Sequence, residues 1–244
     1  MPLRLVPIPG EGIYRVDRWA DLYEFRSPSE SLEGQAAPVN YGERWEDFYA
    51  GFGTLKLSAS EHAAVGRTVA RYRRRFVDGH GFVDFIKRQL IAEPDAGQAI
   101  EPDNRIPRSY FEDTYLIGYG QSIAVEFVDL EHPATHETLA PLISDQLALF
   151  GLQGIPADVT RNRDRRVTRL LTSVLRNLCG SVPEYQHVAG FRYSGRETQD
   201  WDAYVLWDPA ALDLEEDPDL LRPLTPGDEA VLRAARELSL DWPA

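Results

Sequence analysis

Two cations lie eleven residues apart across a predicted strand–helix junction, in TLKLSASEHAAVGRTVARYRR at residues 54–74. Lys56 stands in the strand and Arg67 in the middle of the helix. Together they could add to a positively charged pocket for a phosphate in an otherwise acidic chain. On a helical wheel, however, Arg67 lies roughly opposite the apolar face of Val65 and Val69, which favours a solvated surface arginine.

The helix that carries Arg67 has further features of its own. Ser60 is predicted to cap its N-terminus, and the pattern continues to about residue 76. Ala63, Gly66 and Ala70 are small, so another group can approach the helix backbone closely.

Composition limits the classes of function. The chain has 244 residues, 43% of them hydrophobic, and a formal net charge of −13. Such a chain can bury a proper core, and it should be repelled by nucleic acid and by anionic membrane surfaces. A single cysteine, Cys179, excludes an intramolecular disulfide framework. We found no signal peptide and no long apolar run, so we predict a cytoplasmic protein that binds neither nucleic acid nor membrane.

Most standard catalytic motifs are missing. The sequence has no glycine-rich nucleotide loop, no HExxH and no GxSxG. Its five histidines form no compact set of metal ligands, and Pro133 separates His132 from His136. We therefore predict that the protein uses no metal. Cys179 closes an apolar helix, which favours a small buried residue over a nucleophile.

Strands and helices are predicted to alternate without a regular βαβ rhythm, so the fold class is α+β in one mixed domain. The acidic run DLEEDPD, residues 213–219, is predicted to be a solvated loop. Predicted strands cover 14–19, 52–58, 114–120, 122–130, 188–194 and 203–209, and predicted helices cover 61–76, 80–93, 135–152, 162–179 and 225–240.

Three segments in a fixed order carry a resemblance. They are YRVDRW from residue 14, YGERWEDFYAGFGTLKLSASEHAAVGRTVARYRR from residue 41, and HVAGFRYSGRETQDWDAYVLWD from residue 187. Together they resemble the RES domain family, bacterial proteins, often toxins, whose known members break down NAD. Their fold is similar to that of ADP-ribosyltransferases. The resemblance covers roughly residues 12–209 and implies NAD as a substrate or ligand, while residues 210–244 are expected to pack on the same domain as an acidic loop and a terminal helix.

The family pattern can be carried over residue by residue. Arg15 matches its early arginine. The G-R-W turn falls on Gly42, Arg44 and Trp45, with Glu43 inside it, and Tyr193 and Ser194 match the late serine motif. The resemblance implies catalytic roles for Ser194 and Arg44, although Ser194 could instead cap a turn beside Gly195. It implies ligand-binding roles for Arg15 and Arg44, whose forked guanidinium groups suit a pyrophosphate, and for Tyr193 and Arg196. Lys56 and Arg67 would add their charge to that positive pocket and are also predicted to bind the ligand.

The sequence departs from the family at two linked positions. Where the family has a tyrosine and, eleven residues later, a glutamate, this chain has Lys56 and Arg67. Cleavage of the bond between nicotinamide and ribose builds positive charge on the sugar, which a carboxylate stabilises and an unpaired arginine opposes. Other carboxylates near matched motifs could replace the missing glutamate, namely Glu43, Glu46, Asp47 and Glu197.

Three hypotheses follow from these residues. The first is an NAD-cleaving enzyme whose carboxylate comes from elsewhere in the chain. The second is a protein with altered or lost catalysis that binds a nucleotide or another phosphorylated ligand. The third is a scaffold for a cognate protein partner, recognised through the 213–219 run and the terminal helix, with Trp242 exposed as its sign.

Overall fold

We describe the protein from a computed structural model. The structure describes residues 2–8, 12–18, 54–72, 104–119, 125–160, 165–195, 198, 200–207 and 216–241, with the backbone alone at 71, 165 and 216–220. Arg44 and Arg196, the four predicted carboxylates, Trp242 and the predicted helix at 80–93 lie outside this part of the chain.

One mixed sheet forms the centre of the described chain. Its strands are β1 (Leu5–Pro7), β2 (Ile13–Arg18), β3 (Leu55–Ser58), β4 (Thr114–Tyr119), β5 (Glu126–Asp129), β6 (Val188–Ser194), β7 (Asp202–Leu206) and β8 (Glu216–Pro223). They run in the order β1-β5-β6-β7-β3-β2-β4-β8. Neighbours are antiparallel, apart from the parallel pair of β5 and β6.

Five helices of the described chain pack against this sheet. They are α1 (Glu61–Val69), α2 (Pro133–Leu139), α3 (Ser144–Leu149), α4 (Arg165–Ser181) and α5 (Glu229–Glu237). Short 3-10 turns cover Ala70–Tyr72, Arg108–Phe111, Ala140–Leu142 and Pro183–Tyr185. A single mixed sheet with interspersed helices confirms the predicted α+β fold class.

Strand pairing divides the side chains of the sheet between two faces, because successive residues of a strand point to opposite sides. The helices cover one side, which we call the helix face. Its members include Tyr14, Val16, Lys56, Ser58, Tyr193 and Val205, and those of the other side, the opposite face, include Arg15, Leu57, Arg192, Ser194 and Tyr204.

Two apolar clusters hold the helices on the helix face. In one, α2, α3 and α4 pack against β5, β6 and β7. In the other, α1 and α5 pack against each other and against Val16 and Leu116 of the sheet. A third cluster, with Leu57 and Phe127 fully buried, lies on the opposite face. The sheet is therefore buried on both sides near its middle, where polar side chains need partners.

The predicted acidic loop is wrong for residues 216–219. These residues belong to β8, which pairs antiparallel with β4. Pairing satisfies the backbone N–H and C=O groups of both strands, and this gain does not depend on side-chain charge. As the outermost described strand on its side of the sheet, β8 also tolerates acidic residues and Pro218.

Among the predicted helices whose observed bounds differ, two have a clear local cause. The helix expected at 135–152 is broken at Ala140–Leu142, because Pro141 lacks an N–H and clashes with the carbonyl four residues earlier. The helix expected from Thr225 begins at Glu229, with Asp228 as its cap residue. The Asp228 carboxylate instead accepts a hydrogen bond from the Thr225 backbone N–H at 2.5 Å, which holds Thr225 in the preceding turn.

Candidate functional site

The predicted site residues lie on both faces of the sheet. Arg15 and Ser194 belong to the opposite face, whereas Lys56 and Tyr193 belong to the helix face. Arg67 reaches the helix face from α1. Strand alternation therefore divides the predicted ligand-binding residues between the two faces, with Arg15 on one side and Lys56 and Tyr193 on the other.

Arg67 is not the solvated arginine that the helical wheel favoured. It is half-buried, and its Nη1 donates to the backbone carbonyl of Leu57 at 2.8 Å and to Ser58 Oγ at 3.5 Å. Its Nη2 donates to the Tyr193 hydroxyl at 2.9 Å. The helical-wheel prediction was wrong because the Arg67 side chain extends from α1 over β3 and reaches the Tyr193 hydroxyl of β6. Arg67 thus ties the helix to two strands.

The group that approaches the small side of α1 is a side chain. A Cβ atom built on Gly66 would lie 1.9 Å from Cη2 of Trp201, whose indole is fully buried. The indole Nε1 donates to Oε2 of Glu237 in α5 at 2.7 Å, and its ring meets His62 edge-on at 6.5 Å. Trp201 therefore fills the groove that the small residues leave.

Ser194 and Glu131 form a polar pair on the opposite face. Ser194 Oγ donates to Oε2 of Glu131 at 2.5 Å, and Thr160 Oγ1 donates to Oε1 at 2.6 Å. Ser194 and Thr160 are buried, whereas Glu131 is partly exposed. The carboxylate is thus fixed by two buried hydroxyl groups and still faces solvent.

Glu131 stays ionised at neutral pH. Burial raises the pKa of its carboxyl, but hydrogen bonds from the side chain of Ser194, from Thr160 and from the Ser194 backbone lower it, and so does the charge of Arg192. The lowering contributions prevail, so the pKa lies below its ordinary value. A carboxylate held in this way is a permanent negative charge rather than a proton donor.

Arg192 lies beside this pair and bridges two aspartates. Its Nη1 donates to Asp129 at 3.3 Å and its Nη2 to Asp202 at 2.5 Å. Burial lowers the pKa of Arg192, but its bonds to Asp202 and Asp129 outweigh that effect and raise the pKa. With Glu131, these residues carry three carboxylates against one guanidinium, so this strand end has a negative field that suits a cationic group.

Arg15 is engaged in its own strand. Its Nη2 donates to Asp17 at 2.6 Å, and the guanidinium is almost fully buried. Asp17 lies two residues further along β2 and hence on the same face. The carboxylate competes with any phosphate for the guanidinium, so the predicted pyrophosphate contact of Arg15 would require this ion pair to open.

Glu131 could not be predicted from a local motif, because it lies 63 residues from Ser194 in the sequence. The parallel register of β5 and β6 pairs Asp129 with Arg192. Two residues further along each segment come Glu131 and Ser194. A sequence signal exists: polar residues stand at 129 and 131 and at 192 and 194. Nothing in the sequence showed that these two segments are parallel neighbours.

Cys179 is buried at the end of α4, and burial raises the pKa of its thiol to about 12. This agrees with a small packed residue and argues against a nucleophile. Within the described ranges, no group of three or more His, Cys, Asp or Glu residues could hold a metal ion. None of the helices in that part of the chain is long and apolar enough to cross a membrane.

No protein-family model and no curated protein matches the chain. A crystal structure described as the M. tuberculosis MbcT–MbcA toxin–antitoxin complex is similar over 94% of this chain and 87% of that chain. The sequence identity is 13% and the TM-score is 0.45.

Proposed function

We propose that the chain is a RES-like protein that cleaves the bond between nicotinamide and ribose in NAD, with Glu131 as the carboxylate that the sequence lacks at position 67. The observation that carries this proposal is the ionised Glu131 carboxylate at 2.5 Å from Ser194 Oγ, because Ser194 matches the serine of the RES pattern. This proposal keeps the hypothesis of an NAD-cleaving enzyme whose carboxylate comes from elsewhere in the chain. It assigns that role to Glu131 in place of Glu43, Glu46, Asp47 or Glu197.

The chemistry asks for the charge that Glu131 provides. When the glycosidic bond breaks, its electron pair leaves with neutral nicotinamide and the ribose C1′ becomes oxocarbenium-like. Water then adds to C1′ and loses a proton, giving ADP-ribose. A fixed carboxylate stabilises the cationic sugar and can accept hydrogen bonds from ribose hydroxyls.

Arg67 does not oppose this chemistry in the proposed arrangement. From the helix face, its guanidinium donates to the Tyr193 hydroxyl and to the backbone carbonyl of Leu57, whereas Glu131 and Ser194 lie on the opposite face. The sheet separates the two charges. The sign conflict at the family's glutamate position is thereby avoided if the sugar binds at Glu131.

The test is nicotinamide release from NAD by the purified chain. Glu131→Gln keeps the shape of the side chain and removes its charge, so we expect turnover to fall about 10²- to 10³-fold, as for the loss of a dedicated electrostatic group. Ser194→Ala should lower turnover as well, because it frees the carboxylate. Glu229→Gln is the matched control: this carboxylate is 84% exposed on α5, and its removal should leave turnover unchanged.

Two results would refute the proposal. One is a wild-type chain that releases no nicotinamide. The other is a Glu131→Gln variant that folds and turns over NAD at the wild-type rate.

A second candidate is a protein that binds a nucleotide or another phosphorylated ligand without turning over NAD. It is favoured by Arg67, which stands where the resembled family has a catalytic carboxylate. In this case the wild type would be silent and Arg67→Glu would gain activity. The two candidates therefore predict opposite responses in the same assay.

A cognate protein partner remains a further proposal. Part of its expected recognition surface, residues 216–219, forms a strand paired with β4 instead of a loop. Trp242, its expected sign, lies outside the described residues. No described contact currently favours this candidate over the other two.

A further inference from the structure

We propose that Arg67 anchors an oxyanion site on the helix face, and that this site takes a phosphate group. The site is distinct from Glu131 and Ser194, which lie on the other side of the sheet. It therefore goes beyond the proposed cleavage of NAD and can be tested without it.

The described contacts of Arg67 leave some of its guanidinium N–H groups without an acceptor. It carries five N–H groups. The described contacts use two on Nη1, to Leu57 and Ser58, and one on Nη2, to Tyr193. Within the described part of the chain, the remaining donors on Nε and Nη2 have no acceptor, and an oxyanion can take two such donors at once.

The charge of Arg67 also lacks a counter-charge in that part of the chain. Its contacts are a carbonyl, two hydroxyl groups and the ring of Tyr193, whose centroid is 5.7 Å from Cζ. None of these is an anion, and no described carboxylate lies within 4.0 Å of the guanidinium. A half-buried charge attracts an anion more strongly than an exposed one, because water screens it less.

Phosphate fits better than a carboxylate because a second cation shares the face. Lys56 is two residues before Ser58 in β3, so both residues belong to the helix face and their Cα atoms lie roughly 7 Å apart along the strand. A phosphate monoester or a diphosphate carries enough charge to meet both cations. Because the net charge of −13 repels anions from the chain as a whole, a phosphate needs a local concentration of cations such as this one.

The experiment titrates the full chain with inorganic pyrophosphate by calorimetry. We expect saturable binding to the wild type and an affinity at least about tenfold weaker in Arg67→Gln, the loss typical of a charged hydrogen bond. Arg67→Lys keeps the charge without the fork, and should fall between them. Arg233→Gln, which removes a half-exposed arginine of α5, should bind like the wild type.

Arg67→Lys serves as the test if Arg67→Gln does not fold, as judged by circular dichroism. Equal affinities of the wild type and the folded variants would overturn the proposal, and so would a wild type that does not bind pyrophosphate. A wild type that binds pyrophosphate but releases no nicotinamide would remove the proposed cleavage and leave the oxyanion site intact.

The phosphate could belong to NAD itself or to a separate ligand. Nicotinamide riboside has the same scissile bond as NAD and no phosphate. If the phosphate belongs to NAD, Arg67→Gln should raise KM for NAD more than KM for the riboside. If it belongs to a separate ligand, Arg67→Gln should lose pyrophosphate binding and change the two KM values by the same factor. Both results support the oxyanion site.

Discussion

Gly66→Ala should destabilise the protein, although alanine normally stabilises a helix. The new Cβ would lie 1.9, 2.3 and 2.7 Å from three carbons of the Trp201 ring. Carbon atoms pack best at about 3.5–4.0 Å, so the ring would have to move by about 1.5 Å or more. Trp201 is 1% exposed, so its ring is enclosed by other protein atoms.

The size of the effect follows from three contributions. Overpacking of a full core costs about 1–3 kcal/mol. Displacement of the ring also weakens its hydrogen bond to Glu237. Burial raises the pKa of the Glu237 carboxyl, but hydrogen bonds from Arg233 and Trp201 lower it by more. The net pKa is therefore below its ordinary value, and the acceptor is charged. Such a bond contributes about 1.5–3 kcal/mol. Alanine recovers about 1 kcal/mol of helix propensity, which leaves a net loss of about 3 kcal/mol.

Urea unfolding measures this loss. With a slope of about 2–3 kcal/mol/M, the midpoint of Gly66→Ala should fall by about 1–1.5 M. Gly180→Ala is the matched control, because Gly180 is also helical and a Cβ there would meet nothing within 4 Å. Its midpoint should stay the same or rise.

Two results would contradict a clash between the new Cβ and the Trp201 indole. If Gly66→Ala were as stable as Gly180→Ala, the ring would not be fixed against the helix. If the same loss appeared in a Trp201→Leu background, the clash with the indole would not be its cause, since a shared contact makes the two changes non-additive.

Two pH dependences follow from the shifted groups. Glu131 has a folded-state pKa below its ordinary value of 4.5, so its contribution to stability is present above that pH and is lost as the pH falls through the folded-state pKa. The stability difference between the wild type and Glu131→Gln should therefore shrink in acid, and a difference that does not change with pH would contradict the assignment. Burial, and then the charge of Arg233, lower the pKa of His62 from 6.5 in the folded protein. Just below pH 6.5 the unfolded chain therefore binds more protons at this residue than the folded chain does. Stability consequently rises with pH through this window. His62→Asn should flatten that rise in thermal melts, and an unchanged slope would assign it to other groups.

Local pattern predicted the elements well where one periodicity prevailed. The strand at 188–194 agrees residue for residue, and Ser60 caps α1 by accepting a hydrogen bond from the Ala63 backbone N–H at 3.4 Å. These features depend on neighbours in sequence. The pattern failed at 216–219, because pairing with β4 is a long-range gain that composition does not reveal.

The candidate site could be predicted only in part. Ser194 was identified from a motif, but its partner Glu131 was not, since the parallel pairing of β5 and β6 brings the two together. Alternation along a strand predicts that Tyr193 and Ser194 point to opposite sides. It does not predict that Arg67 joins Tyr193 on the side covered by α1.

The sequence by itself determined the composition, the α+β class, the position of most elements and the unusual cations at 56 and 67. Each of these depends on residue type or on spacing along the chain. Only the tertiary structure decided which charges meet. Strand order and register put Glu131 beside Ser194 and kept Arg67 on the other face, because the distance between side chains depends on how the sheet is assembled.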